Sequence, residues 1–84
     1  MKHFSHNVMA SGIICAHRRN DARELVHKMN TFLTSMKDCC GESYIVSSTE
    51  YLKTRGMTHE DAVRLVNEAL VRLEQLTDPQ LTSV

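Results

Sequence analysis

The chain has 84 residues, of which 42% are hydrophobic, with only two Tyr, two Phe and no Trp, so we expect one small domain over residues 1–84 with an aliphatic, Met-rich core. Ten basic and ten acidic residues cancel, which disfavours nucleic acid as a partner because phosphate contacts supply most of the affinity of such binders. Without a run of eighteen apolar residues, no membrane span is predicted.

The first segment, residues 5–18, carries two competing patterns. Val8, Ile13 and Ile14 favour a strand, but they do not alternate strictly with polar residues. A spacing of four and three instead runs through the segment and onward, with Arg19 as its one polar member. The row is Val8, Gly12, Cys15, Arg19, Ala22, Val26, Met29, Leu33 and Met36. This spacing favours a helix and indicates a seam for a helical pair.

The second segment, residues 20–38, is predicted to be a helix. Asn20 or Asp21 is suited to the N-cap, with Glu24 following in the manner of a capping box. Gly41 offers a place for the chain to leave the helix. The apolar stripe, with Phe32 at its edge, consists of Ala22, Leu25, Val26, Met29, Leu33 and Met36.

The middle of the chain is predicted to be extended first and helical afterwards. Residues 44–46 are Tyr, Ile and Val, which prefer strands. Ser47, with Glu50 after it, then indicates the start of a short helix that ends at Gly56.

A last helix is predicted from Thr58, a good N-cap followed by Asp61, up to the stop at Asp78 and Pro79. Its apolar face consists of Ala62, Leu65, Val66, Ala69, Leu70, Leu73 and Leu76. Its polar face carries a ladder of charges four residues apart, expected to form ion pairs: Glu60, Arg64, Glu68 and Arg72. The ends of the chain, residues 1–4 and 79–84, are expected to fray.

These elements predict a mainly α fold, a small bundle of three to four helices that dimerisation completes. The alternative is an α+β fold in which residues 8–17 and 43–47 form a short two-stranded element, although two strands alone are marginally stable.

Residues 47–66 also have the layout of a helix-turn-helix, with Gly56 at the corner. The basic residues that would contact nucleic acid are Arg18, Arg19, Lys53 and Arg55. However, Glu60 and Asp61 would stand where such a helix meets the DNA backbone, and phosphates would repel them. A small DNA-binding transcription regulator is therefore the alternative function.

Metal binding would use four residues near the N-terminus, namely His3, His6, Cys15 and His17. Their types suit zinc, but their spacing differs from the paired elements of structural zinc sites. A zinc-stabilised domain is the second alternative, and no cofactor is expected.

Nothing in the sequence forms a recognisable catalytic motif, so no catalytic residue is predicted and an enzyme is not expected. The chain has three cysteines, an odd number, and Cys39 and Cys40 are adjacent. Such a set is poorly suited to a disulfide framework and indicates a reducing compartment, the cytoplasm.

A chain of this size with amphipathic helices is expected to act by binding another protein, as an adaptor or inhibitor, and as a homodimer. Val71 is the sharpest indication of a contact surface, because it interrupts the polar face of the last helix. The full set of predicted interface residues is Val71, Met29, Phe32, Met36, Val8 and Cys15.

Overall fold

Four helices account for almost all of the described chain. A computed structural model describes the backbone of residues 2–77 and the side chains of residues 6–73. The helices are α1 (Lys2–Arg18), α2 (Ala22–Cys40), α3 (Tyr44–Thr54) and α4 (His59–Thr77), and a 3-10 turn (Gly41–Ser43) joins α2 to α3. The predicted mainly α bundle is confirmed. The two-stranded alternative at residues 8–17 and 43–47 is wrong, because both segments are helical along their whole length.

Helix α2 is the centre of the bundle, since it packs against α1, α3 and α4. Helices α1 and α4 lie on either side of the α2–α3 pair, and within the described residues their backbones do not contact one another. The buried stripe of α2 is Met29, Phe32, Leu33 and Met36. Burial of each such side chain contributes about 1.5–3 kcal/mol, so this stripe is a large part of the stability of the domain.

The other helices complete the core around that stripe with their own buried residues: Ala10, Ile13, Ile14, Leu52, Met57, Ala62, Leu65, Val66 and Ala69. In α1 the buried face therefore differs from the predicted seam. Val8 and Cys15 of that seam are exposed, while Ile13 and Ile14 point into the core. The predicted seam therefore does not continue along one helix from α1 into α2.

The seam fails because the chain turns at Asn20 instead of continuing as one helix. Asn20 is left-handed, with φ of 59°, a conformation that Asn tolerates better than most residues. The N–H of Asp21 donates to the carbonyl of Ala16 at 3.0 Å, and the N–H of Asn20 donates to that of His17 at 3.1 Å. This is the Schellman pattern that ends helices, and it reverses the chain into α2.

Helix α2 then begins as predicted, with Asp21 as its N-cap. The Asp21 carboxylate accepts from the N–H of Glu24 at 3.1 Å, and Glu24 in turn forms an ion pair with Lys28 at 3.3 Å. The helix continues to Cys40, slightly beyond the predicted end, and Gly41 turns the chain with φ of 62°.

Helix α3 corrects the prediction for the middle of the chain, because the segment expected to be extended is its first turn. Tyr44, Ser48 and Leu52 are four residues apart, and together they face the core. Strand preferences span only about 1 kcal/mol, so burial of this face outweighs the preference of residues 44–46 for an extended chain. The predicted helix start at Ser47 is therefore too late.

The corner before α4 repeats the helix-ending pattern, with Gly56 at φ of 109°. The Thr58 hydroxyl accepts from the N–H of Asp61 at 3.1 Å, which confirms Thr58 as the N-cap. The apolar face is confirmed for the residues with described side chains, namely Ala62, Leu65, Val66, Ala69, Leu70 and Leu73. Leu76 and the expected fraying of residues 79–84 lie outside that description, whereas residues 2–4 belong to α1.

We expect Thr58→Ala to lower the free energy of unfolding by about 1 kcal/mol, because it leaves the Asp61 N–H without its cap. The matched control is Thr31→Ala. The Thr31 hydroxyl only donates to the His27 carbonyl on the exposed face of α2, so this substitution should change stability by less than about 0.5 kcal/mol. Urea denaturation measures both. Equal effects of the two substitutions would contradict the assignment of the cap.

Candidate protein-interaction surface

The structure divides the predicted interface residues among three places. Three of them, Met29, Phe32 and Met36, are buried in the core of the chain itself. Val8 and Cys15 are exposed on α1, two helical turns apart on the side that faces away from the core. Val71 is exposed on α4. The predicted set therefore does not form one surface.

Four large aliphatic side chains are exposed in the described part of the chain, and three of them lie on the α3–α4 side. Ile45 is 39% exposed, Val46 is 66% exposed and Val71 is 53% exposed, while Val8 on α1 is 55% exposed. Sequence reasoning missed Ile45 and Val46 because it assigned them to an extended segment. A helix begun at Tyr44 would have placed them outside, since Tyr44, Ser48 and Leu52 take the inner face.

A groove of about 240 Å³ lies between α3 and α4. Ile45 and Val46 line it from α3, and Val63 and Asn67 line it from α4. Val71 follows Asn67 by one helical turn, so the two side chains are neighbours on the surface of α4. We define the α3–α4 surface as Ile45, Val46, Val63, Asn67 and Val71.

Two rows of residues run side by side along the exposed part of α4. The first contributes to the α3–α4 surface and consists of Val63 and Val71 with Asn67 between them, and we call it the apolar row after its two valines. The second, the charged row, consists of Glu60, Arg64, Glu68 and Arg72. Residues four apart lie beside one another on a helix, so each row follows the helix at a shallow angle to its axis.

The ion pairs predicted within the charged row are not formed. Arg64 instead donates to the carboxylate of Asp61 at 3.0 Å. Glu60, Glu68 and Arg72 form no ion pair with another described side chain. Three of the four charges beside the apolar row are therefore without an ion-pair partner among the described side chains.

The basic residues proposed for nucleic-acid contact gather at one end of the bundle, where α1 and α3 end. The Arg18 guanidinium lies 3.7 Å from the point where a side chain on Gly56 would begin, next to Arg55. Arg19 forms an ion pair with Glu24 at 3.0 Å, and Lys53 forms one with Glu50 at 3.3 Å. Arg18 and Arg55 are thus the basic residues of this set without an ion pair to a described side chain.

Acidic side chains stand at the same end, as the sequence indicated. Asp61 is 3.8 Å from the imidazole of His17 and also accepts from Arg64. Glu60 is exposed next to it, in the first turn of α4. These carboxylates oppose the approach of a phosphate to the start of α4.

The residues proposed as zinc ligands do not converge. His6 and Cys15 are nine residues apart on one helix, which places them about 14 Å apart, far beyond the span of one ion. No group of three or more His, Cys, Asp or Glu with metal-binding geometry occurs among the described residues. The side chain of His3 lies outside them. The zinc site predicted from the sequence is therefore not formed by His6, Cys15 and His17.

His6 has a structural role that the sequence did not reveal. It is buried, and its Nε2 shares a hydrogen bond of 2.8 Å with the Ser35 hydroxyl of α2. Its ring packs edge-on against Tyr51 of α3, with 6.0 Å between the ring centroids. Tyr51 packs in the same way against Phe32, with 6.2 Å between the centroids. Edge-to-face ring pairs and a buried hydrogen bond fix side chains in one geometry. This cluster therefore sets how α1, α2 and α3 fit together.

The three cysteines are all free thiols. A hydrogen bond with Cys40, followed by slight desolvation and the nearby charges of Cys40 and Asp38, raises the pKa of Cys39 above its usual value. The neighbouring thiol of Cys40 is the main cause of this shift in pKa. Since the thiolate is the reactive form, Cys39 is a poorer nucleophile than an ordinary cysteine.

Within the described residues, no helix has both the length and the apolar character needed to cross a bilayer. Comparison of the chain with models of protein families, with curated proteins and with solved structures finds no match.

The raised pKa of Cys39 predicts a pH dependence of alkylation. In a Cys15→Ser background, Cys39 should reach half of its maximal alkylation rate at a lower pH when Cys40 is replaced by Ala, because the group that favours its neutral form is gone. Mass spectrometry of the modified peptide measures the rate over the alkaline range. An unchanged profile, or one shifted to higher pH, would show that Cys40 does not raise the pKa of Cys39.

Proposed function

We propose that the protein is a non-enzymatic protein-binding module, a small cytoplasmic adaptor or inhibitor, whose contact surface is the α3–α4 surface. The observation that carries this proposal is that the exposed Ile45 and Val46 line one groove with Val63 and Asn67, and that the exposed Val71 lies one helical turn beyond Asn67. Single exposed aliphatic residues are ordinary, but adjoining ones on a small domain mark a contact site.

The chemistry of the surface favours a partner with an apolar helix face. The groove runs between two packed helices. Its lining consists of four aliphatic side chains, Ile45, Val46, Val63 and Val66, and four polar ones, Thr49, Glu50, His59 and Asn67. An amphipathic helix laid between two helices buries its apolar residues and keeps its polar face in water. Each Å² of apolar area removed from water contributes about 25 cal/mol, part of which ordering of the partner offsets.

A rigid support makes this surface suitable for binding. Val46 is on the outer face of α3, whose inner face is fixed by the buried residues Ser48 and Leu52. Val63 and Val71 are on α4, whose inner face is fixed by Leu65 and its apolar neighbours. Side chains held on packed helices lose little further freedom on binding, which reduces the entropic cost of association.

A binding role without catalysis and a cytoplasmic location are each supported by the thiols. The pKa of Cys39 is raised, which is the opposite of what a nucleophilic cysteine requires. All three cysteines are unpaired, and Cys15 and Cys39 are exposed, which suits a reducing compartment.

Paired substitutions test the proposed surface. We expect Val46→Asp with Val71→Asp to abolish recovery of a partner from the native cytosol, because two carboxylates would have to be desolvated in the contact. The matched control is Val8→Asp, which places the same charge on an equally exposed valine of α1 and should leave recovery unchanged. Circular dichroism should show both variants folded. A partner that is retained by the double variant, or lost in both cases, would contradict the role of this surface.

A DNA-binding regulator is the second candidate function, favoured by the position of the Arg18 guanidinium beside Gly56, the residue that follows Arg55 in the α3–α4 turn. The acidic side chains Glu60 and Asp61 at that end weigh against it. A mobility shift on random DNA separates the two functions, because contact with phosphates weakens steeply as salt concentration rises.

A further inference from the structure

The charge pattern of α4 identifies what covers the α3–α4 surface. We propose that the occupant is a second copy of this chain, docked about a two-fold axis with the two α4 helices antiparallel. This inference rests on the proposed function, because it names the partner of the same surface.

The charged row is complementary to itself when its direction is reversed. From the N-terminus it is acidic, basic, acidic and basic, as Glu60, Arg64, Glu68 and Arg72. Read backwards, every position has the opposite sign. An antiparallel pair therefore sets Glu60 against the partner's Arg72 and Arg64 against the partner's Glu68, whereas a parallel pair would set like charges against one another. Electrostatic complementarity of this kind fixes register and orientation.

The apolar row has nearly the same midpoint as the charged row. Counted along the chain, the midpoint of the charged row falls at position 66, between Arg64 and Glu68. The midpoint of the apolar row falls at Asn67. One two-fold axis therefore also places Val63 against the partner's Val71 and Asn67 against its own copy. The Asn amide can both donate and accept, so two copies can satisfy each other across the axis. A two-fold interface requires such self-complementarity.

Helix packing allows this arrangement without distortion. Rows of residues four apart lie against one another in the commonest class of helix contact, with the helices crossing at about −50°. Within the described part of the chain, no ion pair ties Glu60, Glu68 or Arg72 to another side chain and competes with contacts between copies. The formal net charge of zero adds no long-range repulsion between two chains.

Two single charge reversals test the proposal. Arg64→Glu alone sets two acids against each other across the axis, and Glu68→Arg alone sets two bases against each other. Because each clash occurs twice in a symmetric dimer, either variant should raise the dimer dissociation constant at least about tenfold. An equimolar mixture should form a heterodimer, since one chain then offers two acids where the other offers two bases.

Sedimentation velocity at low ionic strength measures these states, with the wild type expected at twice the 9.6 kDa chain mass. Val8→Asp is the control and should remain dimeric. A monomeric wild type, single variants that dimerise like the wild type, or a mixture that stays monomeric would each overturn the proposal.

The outcomes also separate this inference from the proposed function. If the wild type is monomeric and binds a protein partner that the Val46→Asp, Val71→Asp double variant does not bind, the homodimer is overturned and the binding function stands. If the wild type is monomeric and those substitutions alter no interaction, both are overturned.

Discussion

The apolar stripe of α2 is the feature on which the other three helices depend. Helix α2, whose buried residues are Met29, Phe32, Leu33 and Met36, packs against all of them, while α1 and α4 do not meet through their described backbones. A domain this small retains only a few kcal/mol of net stability, so it depends on the burial of this one shared stripe. The buried face of α2, with its methionines, fills the interior, and the exposed large aliphatic side chains of the described residues lie on the other three helices.

That arrangement determines where a partner can bind. Helix α3 is short and lies between α1 and α4, so its outer face carries Ile45 and Val46 into solvent beside the exposed face of α4. The charged row of α4 is aligned next to this aliphatic area, with Arg64 held by Asp61 and the other three charges unpaired within the described part. Aliphatic contact area supplies affinity, and the ordered charges supply direction. The combination suits a partner whose own helix repeats this pattern in reverse.

The sequence predicted the long helices well, because α2 and α4 combine clear caps at Asp21 and Thr58 with unbroken apolar periodicity. It misplaced α3, because Tyr, Ile and Val prefer strands and only contact with α2 makes them helical. It also chose the wrong face of α1, since the seam through Val8 ignored the turn at Asn20. The candidate surface was predicted only at Val71. Ile45 and Val46 depend on which side of α3 meets the core, and Val63 and Asn67 depend on the packing of α3 beside α4, and both of these are tertiary contacts.

Native-state hydrogen exchange of the backbone amides between Met29 and Met36 tests most directly whether α2 is the enclosed centre of the fold. If it is, these amides exchange only when the whole domain unfolds, and their opening free energy equals the global value. Amides near the ends of α1 and α4 should open at lower free energy. Exchange of the α2 amides through local opening, at a lower free energy than the amides of α1 or α4, would contradict this arrangement. It would show that the α2 stripe is not the buried centre of the fold.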